Sequence, residues 1–490
     1  MSAAGRARDL DATPVAAAAN PPAQRADLGI LGVMAALKVA LHLPALTRYG
    51  WFRDELYYMA STGHLAWGYV EHPPFSIAVL AIVHALFGAS LVAMRLVPLL
   101  AGVATVVLTG ALAARLGGGR FAQGLAALAA VMAPVILAID QYYSMNAFDI
   151  LFWIVAAHLA LTALERGTTR AWLVLGAALG LGLLNKVSMG WFAAGLALAL
   201  LLTPHRRALL TPGPWLAVAL MLAIFAPHVA WQARNGWPTL EFMHNATTLK
   251  MASISTLGFL RQQELQMNPG AVFVWLIGLG WGLRPAERSR GRVFAIAFLA
   301  ALAIVLSTGK SRPSYLSVAF PMVLALGGVA CERIASGRFA WLRPVMVLPI
   351  VVIGGLVLPF TLPILPVETF VRYQSALHMT PHSDEREAMG VLPQQYADMF
   401  GWPEMVDLVA KAYARLTPEE RRHARVFGQN YGEAGAVDVL GRKLGLPRAL
   451  SGSPPAPSHS RPSPAPQHCS VSTRLRLLAA AQPRVSPWPG

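Results

Sequence analysis

Apolar stretches alternate with short polar links along most of the chain, and their lengths predict membrane-spanning helices. A hydrocarbon core about 30 Å thick needs roughly 20 helical residues at about 1.5 Å each. On that measure 28–46, 96–114, 121–139, 147–164, 215–231, 293–308, 315–331 and 345–365 read as spans, and the shorter runs 171–184, 189–202 and 271–283 complete a set of about eleven. The stretch 75–87 is shorter and carries His84, which predicts an interfacial or re-entrant helix. The stretch 53–72 is mixed in character, with Tyr57, Tyr58, Trp67 and Tyr69 suited to an aromatic interfacial layer, and predicts a short helix at the membrane surface. Residues 232–268 are polar and predict an outer loop.

The regions flanking the spans read differently. Residues 1–27 are rich in Ala and Pro, end in no cleavable signal pattern and predict a disordered cytoplasmic tail before an uncleaved first span. Residues 366–452 predict a small extracytoplasmic α/β domain, with a helical run over 405–416 and a capping-box pattern at Thr417-Pro418-Glu419-Glu420. From 453 to 490 the chain turns to Pro, Ser, Arg and Ala without periodicity. That segment is expected to be disordered, as a divergent or frameshifted terminus that adds nothing to function.

Charge fixes the orientation. Charged residues make up 13% of the chain, about half the share of a soluble globular protein, which supports a polytopic membrane protein. The net charge of +16 comes largely from short clusters between apolar runs and not from one continuous basic face, so nucleic-acid binding is not expected. Arg115 with Arg120, Arg166 with Arg170, Arg206 with Arg207, Arg284 to Arg292, and Arg333 with Arg338 and Arg343 all fall in links on one side. The positive-inside rule makes that side cytoplasmic, with the N-terminus inside and the C-terminal region outside. The two cysteines, Cys331 and Cys469, are too far apart in sequence to suggest a Cys-based metal site or a disulfide framework.

The candidate chemistry gathers on the outer side. Arg53-Asp54-Glu55 follows the first span, and Glu71, Asp149, Lys186, His228, Lys310 and Arg312 all fall near outer ends of other spans. Each alone is consistent with an interfacial charge reaching water, but acids and bases contributed by many helices to one face indicate a single site. Cations there can hold a phosphate leaving group, and a carboxylate can take the proton of an incoming hydroxyl or amine. The apolar setting suggests a lipid-borne donor. A multi-span transporter or flippase for a lipid-linked or anionic solute is the competing reading, since intramembrane ionisable groups also form transport pathways. The chain shows no internal repeat of the kind many transporters carry, and no Walker loop, GxSxG elbow, HExxH or CxxC pattern.

Arg53-Asp54-Glu55-Leu56-Tyr57-Tyr58, His64 to Pro74, Met145-Asn146-Ala147-Phe148-Asp149, Gly182-Leu183-Leu184-Asn185-Lys186, Trp231 to Phe242, Lys310 to Tyr315 and Asn430 to Gly435 appear in that order. Together they resemble the bacterial branch of glycosyltransferase family 39, relatives of the dolichyl-phosphate-mannose protein mannosyltransferases and of the aminoarabinose transferases. The resemblance implies a C-type glycosyltransferase (GT-C) fold and a hexosyl or pentosyl transferase. The enzyme would use a polyprenyl-phosphate sugar donor and a periplasmic lipid, glycan or protein acceptor, at the bacterial inner membrane and in contact with its lipids. It implies catalytic roles for Asp54, Glu55 and Asp149, with Asp54 as the base. It implies donor contacts from Arg53, His72, Lys186, Lys310, Arg312 and Tyr315. A divalent metal, used by some relatives, would fall to Glu71, with His228 beside it. The chain departs from the aminoarabinose transferases at His72, where they carry lysine before the Pro-Pro pair.

Overall fold

The computed structural model describes residues 23–284, 290–379 and 390–451; the 453–490 tail and most of the N-terminal tail lie outside the described residues. Among the described residues, seven helices are long and apolar enough to cross a membrane. They are α1 (Leu28–His42, continued by a 3₁₀ turn), α4 (Leu91–Arg115), α7 (Met145–Arg166), α10 (Pro212–Arg234), α14 (Arg290–Ser307), α15 (Phe320–Ile334, led in by a 3₁₀ turn) and α16 (Leu342–Thr361). The other four expected spans coincide with shorter apolar helices: α5 (Arg120–Val131), α8 (Thr169–Asn185), α9 (Met189–Leu202) and α13 (Val272–Leu283). The protein is a helical, multi-pass membrane protein.

Two departures from expectation have local causes. The run 121–139 is not one helix, because Pro134 forces Ala133 into an extended conformation and a new short helix, α6 (Pro134–Ile139), begins there. The stretch 232–268, expected as a loop, contains α11 (Pro238–Asn245) and α12 (Thr256–Gln266), the latter capped by the Ser255 hydroxyl on the Gly258 N–H at 3.1 Å. The apolar stretch at 75–87 forms α3 (Phe75–Phe87), which packs against α2 (Arg53–Ser61) and α4. Residues 23–27, placed in the tail by sequence, are tied down: the Gln24 N–H donates to the Ala114 carbonyl at 2.9 Å and the Asp27 N–H to Gln123 Oε1 at 2.8 Å.

α15 lies at the centre of the bundle. Of its apolar window 89% is buried, against 17% for α10 at the periphery. Its closest neighbour is α13, and the two cross where Gly327 meets Val274: a Cβ at Gly327 would lie 2.0 Å from the Val274 carbonyl oxygen. Small residues at such crossings let helices pack tightly in lipid, where the hydrophobic effect does not drive helix association. The interior also holds an ion pair, Lys38 Nζ to Asp140 Oδ2 at 2.7 Å, with both side chains buried. Gly102 makes the room, since a Cβ there would lie 2.0 Å from that same oxygen.

After α16 the chain runs through α17 (Val367–Ala376) and α18 (Gln394–Ala397) into a compact unit. It comprises α19 (Trp402–Ala414), α20 (Pro418–His423), β1 (Val426–Gly428), α21 (Tyr431–Leu440) and β2 (Ala449–Ser451). β1 and β2 pair in parallel, with Val426 opposite Ala449, and α21 makes the connection between them. The Thr417–Glu420 capping box is formed. This unit packs on α2, where Leu56 joins Val406, Ala436 and Val437 in one buried cluster.

Candidate active site

α2 begins where Phe52 is extended and Glu55, three residues on, accepts from the Phe52 N–H at 2.9 Å. The same carboxylate receives Arg95 Nε and Nη2, each at 2.8 Å, and the Tyr143 N–H at 3.1 Å. Arg95 also donates to the carbonyls of Leu46 at 2.9 Å and Gly50 at 2.6 Å. Glu55 and Arg95 are both 0% exposed. Glu55 therefore joins α2, α4 and the turn after α6, and through Arg95 the segment that follows α1. The catalytic role expected for Glu55 finds no support in this placement, because its carboxylate is filled by internal donors and is absent from the cavity wall.

Adjacent positions on a helix are about 100° apart, so Asp54 points elsewhere. It lines a cavity of about 430 Å³ together with Arg53 from α2, Asp149 from α7, Lys186 after α8, and Arg312 and Tyr315 before α15. Six of the expected site residues thus share one wall, although they lie far apart in sequence. Gln262 and Gln266, one turn apart on α12, and Gln394 of α18 add amides to that wall.

Two polar clusters organise the cavity. In the first, the Tyr431 hydroxyl donates to Asp54 Oδ1 at 2.9 Å, and Arg53 Nη1 lies 3.2 Å from Asp398 Oδ2. The Arg53 guanidinium also sits over the Tyr431 ring, 5.5 Å from its centroid. Burial and the nearby Asp54 carboxylate hold the Tyr431 phenol well above its ordinary pKa, so it remains a proton donor. In the second, Lys186 Nζ lies 3.3 Å from Asp149 Oδ2, donates to Asn146 Oδ1 at 2.9 Å and faces the Tyr315 ring at 5.3 Å. The Ser188 hydroxyl donates to Asp149 Oδ2 at 2.6 Å. Asp149 is 1% exposed, and its contacts hold the lysine at the cavity edge.

The remaining expected residues fall outside the wall. Lys310 does not line the cavity. His72 is 1% exposed, its Nδ1 lies 2.9 Å from the Pro73 carbonyl, and its ring stacks on Tyr58 with centroids 4.8 Å apart. Burial pushes its pKa down to about 4, so it is uncharged near neutral pH. The substrate-binding role expected for His72 finds no support in its burial or its charge state. Glu71 accepts a hydrogen bond from Tyr57, and His228 Nδ1 lies 2.9 Å from the Trp67 carbonyl. Among the described residues no group of three or more His, Cys, Asp or Glu gathers to hold a metal ion. Glu71 and His228 are thus each engaged by protein groups, Tyr57 and the Trp67 carbonyl.

Asp398 and Tyr431 contact the site residues Arg53 and Asp54, and Arg95 supports α2 from behind the cavity; none of the three was expected to have a part there. Arg95 carries a usable signal, a single arginine at the outer edge of an apolar run. Tyr431 lies in the Asn430 to Gly435 motif, but its partner is 377 positions away. Nothing local marks Asp398.

A family model described as dolichyl-phosphate-mannose-protein mannosyltransferase matches residues 71–231. The chain is 26% identical over 330 residues to undecaprenyl phosphate-alpha-4-amino-4-deoxy-L-arabinose arabinosyl transferase 1 of Pseudomonas fluorescens, covering 63% of this chain and 59% of that protein. Among solved structures it is similar to ArnT from Cupriavidus metallidurans bound to undecaprenyl phosphate, with TM-score 0.58, 18% identity, and 87% of this chain and 86% of that one covered. The apo state of the same protein gives TM-score 0.54 at 17% identity, over 86% of this chain and 85% of that one. The Archaeoglobus fulgidus oligosaccharyltransferase in its apo form gives TM-score 0.52 at 11% identity, over 84% of this chain and 63% of that one. The fold is the GT-C fold expected from sequence, and the chain resembles family 39 enzymes of the aminoarabinose-transferase type.

Proposed function

We propose that this protein is a membrane glycosyltransferase that moves a sugar from a polyprenyl-phosphate donor to a lipid, glycan or protein acceptor on the periplasmic side of the bacterial inner membrane. The observation that carries this reading is the shared cavity, in which the Asp54 carboxylate and the cations Lys186 and Arg312 line one wall. The activity of the arabinosyl transferase relative and the undecaprenyl phosphate bound to the similar ArnT structure support the donor class.

In the proposed reaction the bond between the sugar anomeric carbon and the phosphate oxygen breaks, and its electron pair leaves with the phosphate. Lys186 and Arg312 neutralise the charge that builds there. The acceptor oxygen or nitrogen forms the new bond to the anomeric carbon, and its proton passes to Asp54. Asn146 and the glutamine amides offer hydrogen bonds to sugar hydroxyls. The products are the glycosylated acceptor and the free polyprenyl phosphate.

The orientation has its own support. Arg115 and Arg290, from two links assigned to the cytoplasm, both pair with Glu165, at 2.7 Å and 3.3 Å. Two of the arginine-bearing links thus lie beside each other, which supports their assignment to one face.

The test is transfer of radiolabelled sugar from undecaprenyl phosphate to an envelope extract by the purified protein in detergent, with Asp54→Asn alongside. The expected result is a new glycosidic product from the unaltered protein and loss of transfer with retained lipid binding in the variant. Movement of the lipid-linked sugar across liposomes without a new bond would support a transporter instead.

A further inference from the structure

Asp54 is addressed from the far end of the chain. Among the described residues both of its polar contacts fall on Oδ1, from Tyr431 Oη at 2.9 Å and from Arg53 Nε at 3.5 Å. The second carboxylate oxygen has no protein partner among those residues, on a side chain 31% exposed that lines the cavity.

The geometry of α21 shows how the phenol is aimed. Asn430 caps the helix by accepting from the Glu433 N–H at 3.0 Å, which fixes the orientation of Tyr431 at the first helical position. Gly432 and Gly435 bring α21 against α2. A Cβ at Gly432 would lie 2.3 Å from Arg53 Cγ, and one at Gly435 would lie 2.8 Å from the Leu56 carbonyl carbon. The motif Asn430-Tyr431-Gly432-Glu433-Ala434-Gly435 thus has a local account: a cap, a phenol and two close approaches. Tyr57 also packs against the Tyr431 ring, centroids 5.2 Å apart, and donates its own hydroxyl to Glu71.

We propose that Tyr431 is a positioning residue for the transfer reaction, holding Oδ1 of Asp54 so that the other oxygen is presented to the acceptor. The C-terminal unit is then part of the catalytic apparatus and more than a cover over the membrane domain. The phenol stays protonated and keeps donating while Asp54 takes up and releases the acceptor proton. A base held in one orientation needs no reorganisation at the moment of proton transfer. The inference rests on Asp54 being the base, as proposed above.

The test is Tyr431→Phe in the full-length protein, which removes the hydroxyl and keeps the ring packed against Arg53 and Tyr57. Turnover, donor KM, undecaprenyl phosphate binding and melting temperature are measured for Tyr431→Phe, Asp54→Asn and the double variant. The expected result is a fall in kcat of about tenfold or more, with donor KM, lipid binding and melting temperature little changed. In the Asp54→Asn background the second substitution should have almost no further effect. A general structural role would instead lower activity equally in both backgrounds and lower the melting temperature, and that result would overturn the proposal. Wild-type kcat in Tyr431→Phe, or a rise in KM alone, would overturn it as well. Wild-type turnover in Asp54→Asn would remove the base itself and with it the reading under Proposed function, an outcome the single variants distinguish.

Discussion

Arg95 grips both carboxylate oxygens of Glu55 at 2.8 Å while bonding the carbonyls of Leu46 and Gly50, so one buried pair sets where α2 leaves the membrane domain. Asp54 is the residue immediately before Glu55. The precision of the cavity wall therefore depends on an ion pair that never touches it.

Removing one partner of that pair leaves a buried charge without compensation, which costs about 3–5 kcal/mol. Glu55→Gln and Arg95→Leu should each lower the unfolding midpoint in detergent and lower activity through the placement of α2. The Glu55→Leu/Arg95→Leu double variant should recover a substantial part of the lost stability, because no isolated charge remains. A double variant no more stable than either single one would count against this account.

Lys186 is held by Asp149, Asn146 and Tyr315 at the cavity edge. A hydrogen bond to a charged group contributes about 1.5–3 kcal/mol, so Lys186→Met should weaken donor binding by roughly tenfold to a hundredfold. Asp149→Asn should weaken it less, since the lysine keeps two of its three contacts. Donor titration by intrinsic fluorescence would rank the two. Equal affinity in Lys186→Met and the unaltered protein would exclude a phosphate-binding role.

His72 makes the fold sensitive to acid. Its pKa falls from 6.5 to about 4 on folding because burial disfavours the charged ring. Between those values the unfolded chain binds a proton that the folded chain does not, so stability drops as pH falls through the window. The loss from this one residue is about 2 kcal/mol at pH 5 relative to neutral pH. His72→Gln should flatten the dependence of unfolding midpoint on pH between about 6.5 and 4. An unchanged slope in that variant would show that other groups dominate.

The pattern of apolar and polar positions was enough to determine the class of fold. Hydrophobic length sets which segments can span lipid, so the helical bundle was legible from the sequence. The helices missed at 238–245 and 256–266 lie in polar sequence, where periodicity is weak and tertiary packing decides.

What the sequence leaves open is which member of an ionic cluster faces the reaction. Asp54 and Glu55 are chemically alike and adjacent, yet about 100° of helical rotation sends one to the cavity and the other to Arg95, 40 positions away. Asp54 in turn meets Tyr431 across 377 positions. Local composition encodes hydrophobicity and period, and these suffice for spans. A carboxylate's role depends on which donors surround it in space, and only the folded chain brings those donors together.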